Sequence, residues 1–248
     1  MTERQTSPID DHVRSVIETL DETAESPLPL HARTALDAEE RLIKDAILRM
    51  GSLVEEAIRG AADALVRHDV EAALEIIRGD PVINELQRAA TRLVAVTIAT
   101  QQPVARDLRY LLTLDHVSYE LERIGDHASS VAKAVTKLAP EPPLEGYVHL
   151  PEMAERGATL VHGVLRALVD LDAEAARTLA ADDDAIDRLY HATFDECLRL
   201  SQSDPANVER ATRITIAAHY LERIGDRATN IAEDIVFLST GEVEDLNP

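Results

Sequence analysis

The chain has 248 residues and carries 46 Asp and Glu against 25 Lys and Arg, a formal charge of −21. That charge, with no basic stripe to override it, excludes nucleic acid as a natural partner. The single cysteine, Cys197, rules out an internal disulfide. No apolar run approaches the roughly 18 residues that a membrane-spanning helix needs, and the N-terminus lacks the order of a signal peptide, so a cytoplasmic protein is expected.

Residues 1–33 are acidic, contain Pro8, Pro27 and Pro29, and are expected to be a flexible extension, with a short amphipathic helix over 9–20. From Leu36 to Leu65, apolar residues recur at steps of three and four, which predicts a long helix with Thr34 as its N-cap. His68-Asp69 should break it, with Asp69 capping a short helix through Ile77. A second long helix is predicted from Asp80 to Gln101, with Pro81 in its first turn. A third should run from Pro103 to Leu138. The stretch Ala139-Pro-Glu-Pro-Pro143 ends it, and 140–151 reads as a linker. The second half repeats the plan with helices over 152–170, from Asp172, over 183–202 and over 205–239. No sustained alternation of period two occurs, so no strand is predicted.

The fold class is therefore all-α: two tandem, internally duplicated three-helix bundles, at 34–139 and 152–240. Aromatics are only 3% of the chain and Trp is absent, so aliphatic residues must fill the cores. Each half has its own three apolar stripes, and a half cut near residue 145 is expected to fold alone.

The duplication is plainest in Glu-Arg-Ile-Gly-Asp, at Glu122–Asp126 and again at Glu222–Asp226. Upstream, Asp80-Pro-Val-Ile-Asn84 matches Asp183-Asp-Ala-Ile-Asp187. Self-matching at a fixed long offset marks an internal duplication. Each pentapeptide puts two carboxylates one helical turn apart on one face, an arrangement that weakens a helix by a few tenths of a kcal/mol. Arginine or a metal ion should compensate. By helical angle, the acid pair borders the core, with Gly125 or Gly225 between core and acids. A glycine inside a helix costs roughly 0.5–1 kcal/mol relative to alanine, so its presence twice implies close approach of another backbone or of bound ions.

Both copies of Leu-Glu-Arg-Ile-Gly-Asp, with their Asp-x-x-x-Asn/Asp partners, resemble the PhoU family of phosphate-signalling proteins. Gln102-Pro-Val-Ala-Arg-Asp-Leu-Arg109 and Met50-Gly-Ser-Leu-Val-Glu-Glu56 fit the same family. The resemblance covers residues 33–240. It implies paired three-helix bundles, multinuclear metal sites at the acidic motifs, and a regulatory partnership with two proteins. These are the ATPase subunit of a phosphate-specific ABC transporter and a membrane sensor histidine kinase. It further implies contact with the membrane through those partners only, and a homodimer.

Carried onto this chain, the first site takes Asp80, Asn84, Glu122 and Asp126. The second takes Asp183, Asp187, Glu222 and Asp226, with Asn230 and Glu233 continuing the same face. Ser130 and Lys133 stand at the counterparts of Asn230 and Glu233, so the first site is the poorer of the two. Oxygen ligation suits Mg, Ca or Mn, and also Fe where carboxylates bridge; Zn completes the set of metals considered.

Plainer readings stand beside these. The acid pairs can be surface acids held by arginine, and Asp80 and Asp183 can be helix N-caps. His116, His127, His191 and His219 read as ordinary histidines, and Cys197 as buried filler. None of the nine histidines follows a Glu by three residues, as a di-iron carboxylate bundle requires, and no strand precedes a glycine-rich phosphate loop. A non-enzymatic regulator is the expectation. A helical metal-buffering protein without a transporter partner is the alternative, and a carboxylate-bridged metallohydrolase the third class.

Overall fold

The computed structural model describes residues 30–142, 144 and 149–247; the expected helix over 9–20 lies outside them. Among the described residues there is no strand. The helices are α1 (Leu30–Arg67), α2 (Val70–Gln101), α3 (Ala105–Leu138), α4 (Leu150–Asp170), α5 (Ala173–Ala180), α6 (Asp183–Ser203) and α7 (Val208–Thr240), with a 3₁₀ turn at Pro205–Asn207 before the last. Helices α1–α3 form the first bundle and α4–α7 the second. The all-α, duplicated architecture is thus as the sequence pattern predicts.

Local signals explain the boundaries. His68 and Leu171 both adopt left-handed backbone (φ 54° and 52°), and Asp69 and Asp172 follow them. Each Asp accepts a hydrogen bond at 3.0 Å from a backbone N–H three residues on, Ala72 or Ala175. The same turn is built twice, with an N-cap worth about 1 kcal/mol offsetting much of the left-handed strain of roughly 1–2 kcal/mol.

Three boundaries differ from the expectation. Helix α1 begins at Leu30, so Thr34 lies inside it rather than capping it. Helix α3 begins at Ala105, two residues after the expected Pro103, because Gln102 is left-handed and Val104 extended. The short helix after Asp69 and the helix from Asp80 are one, with Pro81 inside it. An interior proline costs about 3 kcal/mol through its missing N–H. Packing of α2 along both α1 and α3, with Ile76 against Gly60 and Ile83 against Gly125, outweighs that loss. The second half keeps the break, at Ala181-Asp182 between α5 and α6, and that difference shapes the acidic site.

The two bundles do not have separate interiors. One continuous apolar core runs from Leu36 and Ile43 through Leu121 and Ile124 to Leu221 and Ile224. The most extensive helix pair is α3 with α7, one from each bundle. Arg227 Nη1 donates to Glu120 Oε2 at 3.5 Å, and the rings of His127 and Tyr220 stack 5.7 Å apart. Under the 100-residue offset, 120 maps to 220 and 127 to 227, so the two contacts are one contact seen from either side. Helices α3 and α7 therefore cross antiparallel about a local twofold.

The chemistry at the two ends of that twofold has diverged. On one side His116 Nδ1 lies 2.6 Å from Asp234 Oδ2, and Glu120 is 4% exposed. On the other, His127 is pushed down to about 4, mostly by burial and then by Arg227 and Arg223, so it is neutral at pH 7.

A core shared along this seam argues against an autonomous half. Glu120→Ala leaves Arg227 facing a buried site without its carboxylate. It should cost about 1.5–3 kcal/mol, measured by urea denaturation, while the exposed Glu75→Ala should change stability by less than about 0.5 kcal/mol.

Candidate metal centre

The second half assembles a compact acid cluster. Asp183 opens α6, Asp187 follows one turn later on the same face, and Asp226 comes from α7. One carboxylate oxygen from each lies within 4.8 Å of the others. Oxygens held 2.0–2.6 Å from a common cation can be separated by up to about that distance, so the three fit one hard metal ion.

Asp183 is 2% exposed. Its Oδ2 accepts from Asn247 Nδ2 at 3.1 Å and from Thr229 Oγ1 at 3.5 Å. Its Oδ1 has no hydrogen-bond partner among the described residues. A carboxylate buried with one oxygen unmatched is costly unless neutralised. Burial, then Asp187, Asp226 and Glu222, pushes the Asp183 carboxyl up to about 7. Burial followed by Asp226 also raises Asp187, and burial followed by Asp226 raises Glu222. Acids that repel one another out of water favour the protonated form or a neighbouring positive charge.

Gly225 is what admits Asp183. A Cβ on Gly225 would lie 2.0 Å from Asp183 Oδ1, so the glycine expected to allow a backbone or an ion instead makes room for a carboxylate. Gly125 plays the equivalent part for Ile83, whose Cδ1 would lie 2.9 Å from an added Cβ. The break at Ala181-Asp182 frees the start of α6 to set Asp183 into this notch.

Other residues of the second site are placed as follows. Glu222 Oε2 lies 3.2 Å from His219 Nδ1. Arg223 Nη1 donates to Asp226 Oδ2 at 2.7 Å, so arginine pairing is realised at one oxygen of the site. His191 is close enough to Asp187 to favour its charged form. Asn230 is half-buried on α7, one turn past Asp226. Glu233 is engaged by the C-terminal segment: Leu246 N donates to its Oε1 at 2.9 Å, and its charged neighbours are Asp245 and Asp234. It is not among the three acids that converge.

The first half is looser. Asp80 and Asn84 on α2 each leave a buried Oδ1 without a partner, while Asp126 is exposed. Burial and then Asp126 raise Asp80, but Lys133 acts against them. Burial, Asp126 and Asp80 raise Glu122, opposed by Arg123 and Arg88. A lysine in the field of the first acids does part of what a metal would do.

Two contributors were not foreseen in the sequence. Asn247 comes from beyond the repeat, and no periodicity reaches it. Thr229 sits one turn from Asp226 on the acidic face, and its hydroxyl looks like any helix threonine until Asp183 is seen above it.

With this geometry in place, comparison with known proteins is decisive. A family model, PhoU domain, matches residues 47–135 and again 150–235. The chain belongs to the PhoU family. A phosphate-specific transport system accessory protein PhoU homolog from Clostridium acetobutylicum is 36% identical over 212 residues, spanning 85% of this chain and 96% of that protein. Its counterpart from Rhizobium meliloti is 34% identical over 215 residues, spanning 85% and 90%. The crystal structure of PhoU from Pseudomonas aeruginosa superposes with a TM-score of 0.80 at 33% identity, covering 83% of this chain and 99% of that one. PhoU from Streptococcus pneumoniae gives 0.77 at 31% identity, covering 85% and 99%. Both matched PhoU segments contain an acidic pentapeptide.

The Asp183 carboxyl gives a pH test on metal-free protein. Its folded value, about 7, lies above the unfolded value of about 3.9, so the native state binds the extra proton. Its contribution to stability is present below pH 4 and is lost as pH rises to 7. With chelator present, Asp183→Asn should therefore gain on the parent steadily across that window, followed by denaturation at successive pH values.

Proposed function

We propose that this chain is the accessory regulator of a phosphate-specific transport system, coupling the ATPase subunit of the ABC transporter to a sensor histidine kinase. The observation that carries this reading is the match of both repeats to the PhoU domain, with relatives named as phosphate-transport accessory proteins over nearly their full length. The regulator acts from the cytoplasm, by docking rather than by chemistry. No helix among the described residues is long and apolar enough to cross a membrane; in this reading membrane contact is through partners. Homodimerisation is part of the proposal.

A metal belongs to the same reading. The residues fit one: three convergent carboxylates, a buried oxygen with no partner and a glycine notch that holds it in place. Asp183, Asp187 and Asp226 would hold the ion, with Glu222 and Asn230 beside them. The all-oxygen set favours Mg, Mn, Ca or Fe over Zn. Bound there, the ion supplies charge neutralisation that fixes α6 against α7. The acids' mutual repulsion provides the driving force, and a cation that binds only the folded state stabilises it by mass action. The alternative, a metal-buffering protein with no transporter partner, uses the same site and differs only in what the helices touch.

Two measurements test this. Affinity purification from cells grown in high and low phosphate should recover the transporter ATPase and the histidine kinase; recovery of neither leaves the buffering alternative. Elemental analysis after matched purification should show a larger loss of metal from Asp226→Ala than from Asp126→Ala. Likewise Gly225→Ala, whose methyl meets a carboxylate at 2.0 Å, should lose more metal than Gly125→Ala, whose methyl meets a flexible Ile83. Equal losses from both halves would contradict the ranking of the sites.

A further inference from the structure

The second bundle places large apolar side chains where the first places paired polar ones. Between α6 and α7 lies a hollow of about 260 Å³ flanked by Phe194, Leu198 and Ile216, which are 44%, 47% and 46% exposed. Phe194 is one of only two phenylalanines in the chain. Across Ile216, between α7 and α3, lies a second hollow of about 230 Å³ with Lys133, Lys137 and Arg213 at its edge and Tyr220 in its wall. No carboxylate lines either hollow, on a chain with 46 acids. Two of its three lysines are here.

At the corresponding face of the first bundle two of these positions are polar and paired, one of them across to α7, while Leu112, the counterpart of Thr212, is 51% exposed. Phe194 maps to Thr91, which accepts from Gln87 at 2.9 Å and donates to Asp115 at 2.7 Å. Ile216 maps to His116, which is held by Asp234 at 2.6 Å. Where one repeat has paired polar side chains, the other presents large apolar groups beside cations. Exposed apolar groups that adjoin each other and are rimmed by charge mark interaction surfaces.

We infer that this face is a docking site for an acidic amphipathic helix of a partner protein. The helix would lie along α7, its apolar edge filling the α6–α7 hollow at the three- and four-residue spacing of helix-in-groove recognition. Its acidic edge would face Lys133 and Lys137, Arg213 being already paired with Glu209. The charge pattern selects this occupant. On a chain of net charge −21, apolar hollows free of carboxylates and edged by Lys133 and Lys137 set both place and orientation for an acidic helix. The inference does not depend on the partner's being a transporter subunit or a kinase.

The test uses the full chain, in chelator, with a fluorescent helix-forming peptide of about four turns. The peptide carries Leu on one edge and Glu on the flanking edge, and binding is read by anisotropy. The peptide should bind, and more weakly as salt rises. A version with Lys for Glu should not bind. Phe194→Ser and Lys137→Glu should each weaken binding about tenfold, with melting temperatures unchanged, and Leu42→Ser on the exposed face of α1 should leave it intact. No binding of the acidic peptide, equal binding of the Lys version, or insensitivity to both groove variants would overturn the proposal. So would a dimer in sedimentation that Phe194→Ser dissolves, since the occupant would then be a second copy.

Discussion

The structure of the second bundle turns on one carboxylate placed where a carboxylate is hardest to keep. Asp183 sits almost fully buried between two other acids, with one oxygen unmatched. A notch in α7 at Gly225 admits it, and a helix break at Ala181-Asp182 lets the start of α6 enter the notch. The amide of Asn247 folds back to cover its other oxygen. Each of these features costs something by itself: a glycine inside a helix, an interrupted helix, an ordered C-terminal segment. Together they hold one buried carboxylate against two half-buried ones, an arrangement that favours either a proton or a cation at their convergence.

The first bundle shows what the same duplication becomes without that constraint. Its α2 runs unbroken through Pro81, Ile83 rather than an acid fills the notch at Gly125, and Lys133 lies in the field of Asp80. Divergence runs the other way on the outer face, where the first bundle pairs Thr91 with Asp115 and ties His116 across to Asp234 of α7. The two halves have thus diverged, one with tightly gathered acids and an apolar groove, the other with paired polar groups at the equivalent positions. The antiparallel seam of α3 and α7 ties them into one core.

Much of this was legible before any coordinates. Helix periodicity located the elements because aliphatic residues recur at three- and four-residue steps with little else to confuse them. The repeated pentapeptide located the acids, because like charges one turn apart at a core border need a reason. What escaped was decided by contacts distant in sequence. Pro81 looked like a helix start because local geometry favours it there, and packing on two neighbouring helices overrode that preference. Nothing in residues 222–226 says which partner Gly225 admits. Glu233 extends the acidic stripe by spacing, yet its partner is a backbone N–H thirteen residues on. The seam between bundles was invisible because Glu120 and Arg227 are ordinary charged residues until the twofold brings them together.

The most direct test of the central claim is a crystal structure grown with manganese and measured for anomalous scattering. The account predicts a peak within bonding distance, roughly 2.0–2.6 Å, of the otherwise unmatched Oδ1 of Asp183, shared with Asp187 and Asp226. No peak at that place, with Asp183 instead protonated and hydrogen-bonded to a neighbouring carboxylate, would mean that the cluster is stabilised by a proton and not by a metal.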